Sequence, residues 1–321
     1  MPERYAIKLG RNFLRFPLEL FGRYETCDDR LHVRIKNCEL PNPVVLAACY
    51  HEPYIIKRAM RLGFGGVTLK VTRERRAGNP EPVIARRGEG FVNCVGFKNP
   101  DMEGYENFLK HFERTRPLIL NIAGNEIDDY LEVIANLEQY ADMLELNISC
   151  PNTKTGLNLS KRPEEARALF REGRKLTGKP ISVKLSPEKE FEESNYGKIV
   201  PYAINAGLKA VNFGNTRYVK EERLSMGGGG LSGPELYDNV IHNIEKIHKK
   251  FGKDIKIIAT GGIDNPEKAC QAITKGATCV SYVSGFVTKG PMLARRINAY
   301  LSQRLDYYGL DSFTYMVGIE G

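Results

Sequence analysis

The sequence has no uninterrupted apolar run that approaches the roughly 18 residues needed to span a bilayer. It also has no N-terminal secretion signal, because basic residues interrupt the apolar positions there. Those residues are Arg4, Lys8, Arg11 and Arg15. We therefore expect a cytoplasmic protein without an integral membrane segment. Residues 9–21 mix basic and aromatic side chains, but Pro17 breaks a helical register, so we expect them to plug one end of the fold.

The cysteines form no recognisable spacing pattern. The 321 residues include seven cysteines and no Cys-x-x-Cys pair. They are Cys27, Cys38, Cys49, Cys94, Cys150, Cys270 and Cys279. An odd number of scattered thiols argues against a disulfide framework, a zinc site and an iron–sulfur cluster held by this chain alone. Free thiols in a reducing compartment fit this pattern best.

The signatures of nucleic-acid binding are also missing. The formal net charge is +8, but lysines and arginines are spread along the chain and interleaved with acidic residues. Even the densest basic run, residues 73–76, contains Glu74. No RNA-recognition signature and no Cys/His finger occurs. We therefore expect no nucleic-acid partner, and an anionic small substrate or a phosphate-bearing cofactor accounts for part of the charge.

What is present is an alternation of short apolar runs with amphipathic segments. The predicted strands are Pro43–Tyr50, Gly66–Thr72, Leu118–Gly124, Met143–Cys150, Ile181–Pro187, Ala210–Thr216, Ile255–Ile263 and Thr278–Gly285. The predicted helices include Tyr54–Leu62, Asp128–Tyr140, Pro163–Leu176, Pro234–Phe251, Pro266–Lys275 and Pro291–Tyr307. Near-continuous apolar runs are typical of parallel strands that are covered on both faces. This order predicts an α/β fold, a (β/α)8 TIM barrel, with a doubly wound open sheet as the alternative.

No linker or low-complexity segment divides the chain, so we expect one barrel domain over residues 1–321. Residues 1–40 would form an N-terminal extension. Residues 73–100 are polar and rich in Gly, Pro and Asn. We expect them to form a loop and β insertion over the carboxyl-end mouth of the barrel, where the active sites of such barrels lie.

The fourth predicted strand ends in an unusual polar group. Cys150 lies between Asn147 and Asn152, next to a turn at Pro151. Asn side chains offer donors and acceptors without charge, and a thiol takes or delivers a proton when its pKa is tuned. The pattern predicts a proton-transfer site for a polar planar substrate. A buried Cys at a turn is the alternative, since free Cys is often buried.

Two lysines lie inside apolar strands, where a charge is costly unless it is paired. They are Lys70 and Lys184. Glu145 shares a strand face with Asn147 and is available to pair with one of them. The other lysine would then face an anionic ligand, such as an electron-rich flavin ring or a substrate carboxylate.

Three glycine clusters follow the later strands. Residues 227–233 lead into a predicted helix, and residues 260–263 and 284–285 follow predicted strands. Glycine allows a phosphate to approach backbone N–H groups at a helix N-terminus, and barrels often bind phosphate after strands seven and eight. A Rossmann unit is not indicated, because no Gly-x-Gly-x-x-Gly motif follows a first strand.

Taken together, residues 32–318 resemble the dihydroorotate dehydrogenase family. The matching segments are residues 46–48, 68–72, 78–80, 93–99, 147–152, 183–184, 215–216, 230–233, 260–263 and 284–285. Cys150 and Lys70 are similar to the soluble class 1 enzymes, whereas class 2 enzymes have Ser at the first of these positions. Residues 151–153, 156–157, 215–216 and 230–233 look more like class 2, so the chain is a mixed case.

The resemblance implies FMN-dependent oxidation of (S)-dihydroorotate to orotate in pyrimidine (UMP) biosynthesis, with Cys150 as the base, hydride transfer to flavin N5 and no metal. The substrate would be bound by Lys70, Asn93, Val95, Gly96, Phe97, Asn147, Asn152, Asn215 and Thr216. FMN would be bound by Ala47, Ala48, Lys70, Val71, Asn121, Asn147, Lys184, Asn215, Ser232, Gly233, Gly261, Gly262, Ser284 and Gly285. The chain departs from the family at Cys49, usually Gly, and at Ser281, often Gln.

The resemblance also implies a homodimer or a complex with an electron-transfer subunit, with fumarate, NAD or quinone as the final acceptor. Two other functions compete. The first is an FMN-dependent dihydropyrimidine dehydrogenase acting on a ring that lacks the carboxylate, such as dihydrouracil. The second is a non-redox phosphate-binding barrel isomerase, which accounts for the glycine clusters but not for the Asn and Cys residues.

Overall fold

The structure is a computed structural model that describes residues 28–149, 158–186 and 194–321. The strands are β1 (Val33–Ile35), β2 (Cys38–Leu40), β3 (Val44–Leu46), β4 (Gly66–Val71), β5 (Ile84–Arg87), β6 (Gly90–Asn93), β7 (Leu118–Ile122), β8 (Met143–Asn147), β9 (Ile181–Leu185), β10 (Ala210–Phe213), β11 (Arg217–Lys220), β12 (Gly228–Ser232), β13 (Lys256–Thr260) and β14 (Cys279–Tyr282). The helices are α1 (Pro53–Ala59), α2 (Met102–Leu109), α3 (Ile127–Leu137), α4 (Pro163–Lys175), α5 (Tyr196–Asn205), α6 (Tyr237–Phe251), α7 (Pro266–Thr274), α8 (Ser284–Lys289) and α9 (Leu293–Tyr308). Single 3-10 turns cover Asp29–Leu31, Glu138–Tyr140, Leu159–Lys161, Pro234–Leu236 and Phe313–Met316.

Eight parallel strands close into a barrel in the order β10-β13-β14-β3-β4-β7-β8-β9. Helices lie between successive barrel strands along the chain. This confirms the predicted (β/α)8 barrel and excludes an open doubly wound sheet, because a closed sheet has no edge strand. The barrel strands are buried along almost their whole length, which explains their near-continuous apolar sequences.

Most predicted elements exist, but several boundaries differ. Each barrel strand ends a few residues before its predicted boundary, and Ser284, predicted in the last strand, begins α8 instead. The helices that we named from the sequence do not include α2, α5 and α8. Helix α2 contains Gly104, α5 contains Pro201, and α8 is only six residues long. Gly, Pro and short length all weaken the helical signal of a sequence, so tertiary packing decides these segments.

A small hairpin of β1 and β2 covers the amino-end of the barrel. Its inward residues alternate with exposed ones, as Val33–Ile35 and Cys38–Leu40 both show. Leu40 packs so closely on Gly66, the first residue of β4, that a side chain there would lie 2.9 Å from it. The expectation that residues 9–21 plug one end of the fold concerns residues outside the described ranges.

A four-stranded antiparallel sheet, in the order β11-β12-β6-β5, lies over the opposite end. It contains β5 and β6 from the predicted insertion, which confirms that this insertion is partly β. The other half, β11 and β12, was not predicted, because the sequence of the glycine run gave no sign of the strand β12 that it forms. A side chain at Gly229 would lie 2.3 Å from the Asn93 carbonyl oxygen, so only glycine allows β12 and β6 to meet there.

Within the described residues, no helix is long and apolar enough to cross a membrane. The same part of the chain contains no group of three His, Cys, Asp or Glu side chains placed to hold a metal ion.

Candidate active site

A cavity of about 1010 Å³, counted out to its open mouth, lies at the carboxyl ends of the barrel strands. Its polar lining consists of Lys70, Asn93, Asn121, Asn147, Lys184, Asn215, Thr216, Ser232, Thr260 and Ser284. The described lining therefore carries two cations and no carboxylate, which favours an anionic or electron-rich ligand.

The floor of the cavity is a network of hydrogen bonds around a buried carboxylate. Glu145 accepts hydrogen bonds from Asn121 Nδ2 at 2.6 Å and from Asn212 Nδ2 at 2.5 Å. Lys184 Nζ lies 3.7 Å from the same carboxylate, so the predicted pairing of Glu145 with one lysine is confirmed. Burial of the Glu145 charge is tolerated because it is compensated by two amide donors and one ammonium group.

A row of amides continues from this floor toward the mouth. Asn147 donates to Asn121 Oδ1 at 3.4 Å and accepts from Asn215 Nδ2 at 3.2 Å. Asn215 also lies 3.3 Å from Ser149 Oγ, and its own Oδ1 accepts from the Thr216 backbone N–H at 2.9 Å. These contacts fix the amides in one wall of the cavity, where they offer directional donors and acceptors to a planar ring.

Phe97 lies close to two cations at the edge of the cavity. Lys70 Nζ lies 5.3 Å from its ring centre, and the Arg76 guanidinium lies 5.9 Å from it. Both distances are within the range of cation–π attraction. Phe97 also has a positive φ of 56°, which is uncommon for a bulky residue. Its turn is held by Asn99, which donates to the Phe97 carbonyl oxygen.

The backbone below Lys70 is held by a neutral phenol. Tyr105 donates its hydroxyl hydrogen to the Lys70 carbonyl oxygen at 2.7 Å. Burial raises the pKa of Tyr105 well above its usual range, so the phenol stays protonated and remains a donor at any physiological pH. The end of β4 is thereby kept in place under the cavity.

The other side of the cavity is built from small residues. Ala47, Ala48, Gly261, Gly262, Ser284 and Gly233 line it. Gly262 has a φ of +73°, and a side chain there would lie 2.6 Å from Tyr237 Cβ. Glycine is therefore required at this position for both conformation and space, and it leaves backbone groups accessible to a ligand.

The structure brings most of the predicted site residues into this one cavity. These are Ala47, Ala48, Lys70, Asn93, Val95, Gly96, Phe97, Asn121, Asn147, Lys184, Asn215, Thr216, Ser232, Gly233, Gly261, Gly262 and Ser284. Val71 and Gly285 are buried but do not line it. Cys150 and Asn152 lie outside the described residues.

Five lining residues were not predicted to bind a ligand. They are Cys49, Leu236, Thr260, Tyr282 and Val283. Thr260 and Tyr282 are the last residues of barrel strands, which is a sequence signal that was available for both. Leu236 offers no such signal, because an apolar residue in a short turn looks like core.

Residues 30–305 match the family model described as dihydroorotate dehydrogenase. This chain belongs to the dihydroorotate dehydrogenase family. It is 32% identical over 304 residues to the dihydroorotate dehydrogenase B (NAD(+)) catalytic subunit of Bacillus pumilus, covering 90% of this chain and 96% of that one. It is also 28% identical over 309 residues to the dihydroorotate dehydrogenase (quinone) of Corynebacterium efficiens, covering 91% and 81%.

The fold agrees with this assignment. A dihydroorotate dehydrogenase from Eimeria tenella, solved in complex with ferulenol, superposes with a TM-score of 0.85 at 25% identity. The match covers 100% of this chain and 96% of that one. A non-redox isomerase is therefore not supported.

Members of this family are FMN-dependent flavoproteins, and the cavity suits such a cofactor. Its two lysines and absence of carboxylates among the described lining residues suit the electron density of a reduced flavin. Gly261 and Gly262 leave a space free of side chains, which a phosphate group needs to approach the backbone. The side of the cavity that carries Asn121, Asn147 and Asn215 therefore suits the flavin ring of FMN, and the side that carries Gly261 and Gly262 suits its phosphate group.

Proposed function

We propose that this protein oxidises (S)-dihydroorotate to orotate with FMN, in de novo pyrimidine biosynthesis. The observation that carries the proposal is the convergence of three amides and two lysines in one cavity of a barrel from this family. The amides belong to Asn93, Asn147 and Asn215. A neutral wall of donors and acceptors suits a pyrimidine ring, and an ammonium group suits its carboxylate.

We assign the cavity residues to two groups. The substrate side consists of Lys70, Asn93, Val95, Gly96, Phe97, Asn147, Asn215 and Thr216, with Asn152 added from the sequence motif. The cofactor side consists of Ala47, Ala48, Lys70, Val71, Asn121, Asn147, Lys184, Asn215, Ser232, Gly233, Gly261, Gly262, Ser284 and Gly285. In this assignment the lysines stabilise the electron-rich reduced ring, and the glycines accept the phosphate.

Cys150 is the proposed base. Its thiolate takes the C5 proton of dihydroorotate, while the hydride leaves C6 and the ring gains a C5–C6 double bond. FMN, when bound, supplies the acceptor for that hydride at N5. Since the thiolate is the reactive form, the rate of flavin reduction should rise with pH until the thiol is ionised.

We propose a single barrel domain over residues 1–321 in a cytoplasmic enzyme that forms a homodimer or binds an electron-transfer subunit. The relative in Bacillus pumilus is named a catalytic subunit, which supports a partner that carries electrons away. Size measurement of the purified protein, alone and with such a subunit, tests this arrangement.

The decisive experiment is anaerobic mixing of the FMN-loaded protein with dihydroorotate, followed by visible absorbance. Bleaching of the flavin is expected. Dihydrouracil is the matched control, because it lacks the carboxylate, and faster bleaching by it would instead support a dihydropyrimidine dehydrogenase. A protein that binds no FMN, or bound FMN that neither compound bleaches, contradicts the proposal.

The variant Cys150→Ser tests the base. We expect it to retain FMN and to slow flavin reduction by on the order of 10²–10⁴-fold, the usual contribution of general-base catalysis. Cys270→Ser is the control, since Cys270 is buried on α7 and does not line the cavity. Equal reduction rates in Cys150→Ser and wild type would remove Cys150 from this role.

A further inference from the structure

We propose that Glu145 is a positioning residue that sets which side-chain atoms of the cavity amides Asn121, Asn147 and Asn215 donate and which accept. This inference rests on the proposed function and extends it to a residue that does not itself line the cavity. The carboxylate would orient the groups that bind the flavin and the substrate, and its charge would tune the flavin potential.

The Glu145 side chain crosses the interior of the barrel. It belongs to β8, whose neighbours are β7 and β9. One of its oxygens accepts from Asn121 on β7, but the other accepts from Asn212 on β10, which is two strands away. Only a side chain inside the barrel reaches that strand. Glu145 is 3% exposed and Asn212 is 2% exposed, so both contacts are shielded from water.

A carboxylate only accepts hydrogen bonds, and this removes the ambiguity of the amides around it. Asn121 must turn its NH2 group toward Glu145, which leaves its oxygen to accept from Asn147 at 3.4 Å. Asn147 must then present its oxygen to the NH2 group of Asn215, at 3.2 Å. The orientation of the Asn121 and Asn147 amides in the cavity therefore follows from the buried Glu145 carboxylate below them.

The same logic operates on the second branch. Asn212 turns its NH2 group toward Glu145, so its oxygen accepts from the Thr260 hydroxyl at 2.6 Å. Thr260 lines the cavity beside the glycine side. Glu145 thus orders polar groups on both sides of the cavity, although it is not in the lining.

The charge of Glu145 has a separate consequence. Lys184 lines the cavity, and its ammonium lies 3.7 Å from the Glu145 carboxylate, with 6% and 4% of the two side chains exposed. The carboxylate offsets part of the positive potential that Lys184 contributes to the cavity. Removing the negative charge should therefore favour the electron-rich reduced flavin and raise its midpoint potential.

The test begins with Glu145→Gln, which keeps the size but replaces one acceptor oxygen with a donor. The new NH2 group must face the NH2 group of Asn121 or of Asn212. We expect FMN affinity, measured by fluorescence titration of the apoprotein, to fall on the order of tenfold or more, since Asn121 and Asn147 lose the fixed orientation in which they meet the ligand. The ratio of affinities for reduced and oxidised FMN should rise, and each tenfold rise corresponds to a potential shift of about 30 mV.

The double variant Glu145→Gln/Asn212→Asp is the rescue. Its new carboxylate accepts both from the amide NH2 group introduced by the first substitution and from Thr260, while the remaining oxygen of that amide accepts from Asn121. Every donor again has an acceptor, so we expect FMN affinity to return to within about threefold of wild type. Glu113→Gln is the charge control, because Glu113 is exposed and its loss should change neither quantity.

Unchanged FMN affinity and potential in Glu145→Gln overturn the inference while leaving the proposed function intact. A double variant that binds FMN no better than Glu145→Gln overturns the ordering of the amides. If Glu145→Gln does not fold, the double variant is the test by itself. The inference then requires that the double variant folds and binds FMN nearly as tightly as wild type does, and failure of either contradicts it. A wild-type protein that binds no FMN overturns both this inference and the proposed function.

Discussion

The two sides of the cavity are built from different chemistry. The polar half carries the side chains of Lys70, Asn121, Asn147, Lys184 and Asn215, at or just beyond the ends of β4 and β7–β10. The small-residue half carries Ala47, Ala48, Gly261, Gly262 and Ser284, just beyond the ends of β13, β14 and β3. One half therefore offers directional side-chain groups, and the other offers close access to the backbone.

The two halves also solve different energetic problems. The polar half buries amides and charges, which is tolerated because they bond to one another around Glu145. The small-residue half buries little polarity, and its constraint is steric, since a side chain at Gly262 would collide with Tyr237. A substitution in the polar half should therefore change recognition, whereas one in the small-residue half should change packing first.

The largest effect on stability is expected for Gly262→Ala. The left-handed backbone costs about 1–2 kcal/mol for a residue with a side chain, and the collision with Tyr237 adds about 1–3 kcal/mol. We expect the free energy of unfolding to fall by about 2–5 kcal/mol in urea denaturation, with FMN lost on gel filtration. Gly309→Ala is the control, because Gly309 has φ +66° with no atom within 4 Å of a new side chain. Equal losses in both variants would show that the collision is absent.

The next effect concerns recognition in the polar half. Asn215→Ala removes the partner of Asn147 and of Ser149, and it leaves the glycines untouched. We expect kcat/KM for dihydroorotate to fall on the order of 10²-fold, as expected for a buried polar contact to a charged substrate, with FMN still bound. Asn136→Ala, on the exposed face of α3, should leave kcat/KM unchanged. If the variant loses FMN, but its flavin is reduced by dihydroorotate at the wild-type rate once FMN is added back, Asn215 does not belong to the substrate group.

The smallest effect near neutral pH comes from two buried thiols below the small-residue half of the cavity. They belong to Cys279 of β14 and to Cys38 of the hairpin, which lie near each other. Burial raises the pKa of Cys38 to about 12 and also raises the pKa of Cys279. An unfolded thiol ionises near pH 8.5, so from about pH 9 to 12 the unfolded state holds fewer protons than the folded state. The contribution of these thiols to the free energy of unfolding is therefore fully present below about pH 8.5. It falls as the pH rises, by about 1.4 kcal/mol per pH unit for each thiol.

Urea denaturation at pH 8, 9 and 10 measures this slope. Cys38→Ala should flatten it by about 1.4 kcal/mol per pH unit, because one of the two thiols is gone. The cavity left by the substitution lowers stability equally at each pH, so the slope separates the two effects. An identical slope in the variant would mean that Cys38 is ionised as readily in the folded state as in the unfolded state.

The sequence by itself determined the architecture and most of the site. Apolar runs separated by amphipathic segments are sufficient to predict eight parallel strands, since local hydrophobic patterns reflect burial on both faces. Lys70, Lys184 and the Asn residues stand out for the same reason, because polar groups in buried strands are costly without partners. The pairing of Glu145 with a lysine follows from strand alternation and charge alone.

Only the tertiary structure decided which polar groups meet. Asn212 looks like any polar residue of a short strand, yet its amide bonds to Glu145 from 67 residues away. Likewise, β12 was not predicted as a strand, because glycine weakens a strand pattern and the close approach of β6 that requires these glycines is not visible in the sequence. Strand order and barrel closure bring such groups together, and neither leaves a local mark on the sequence.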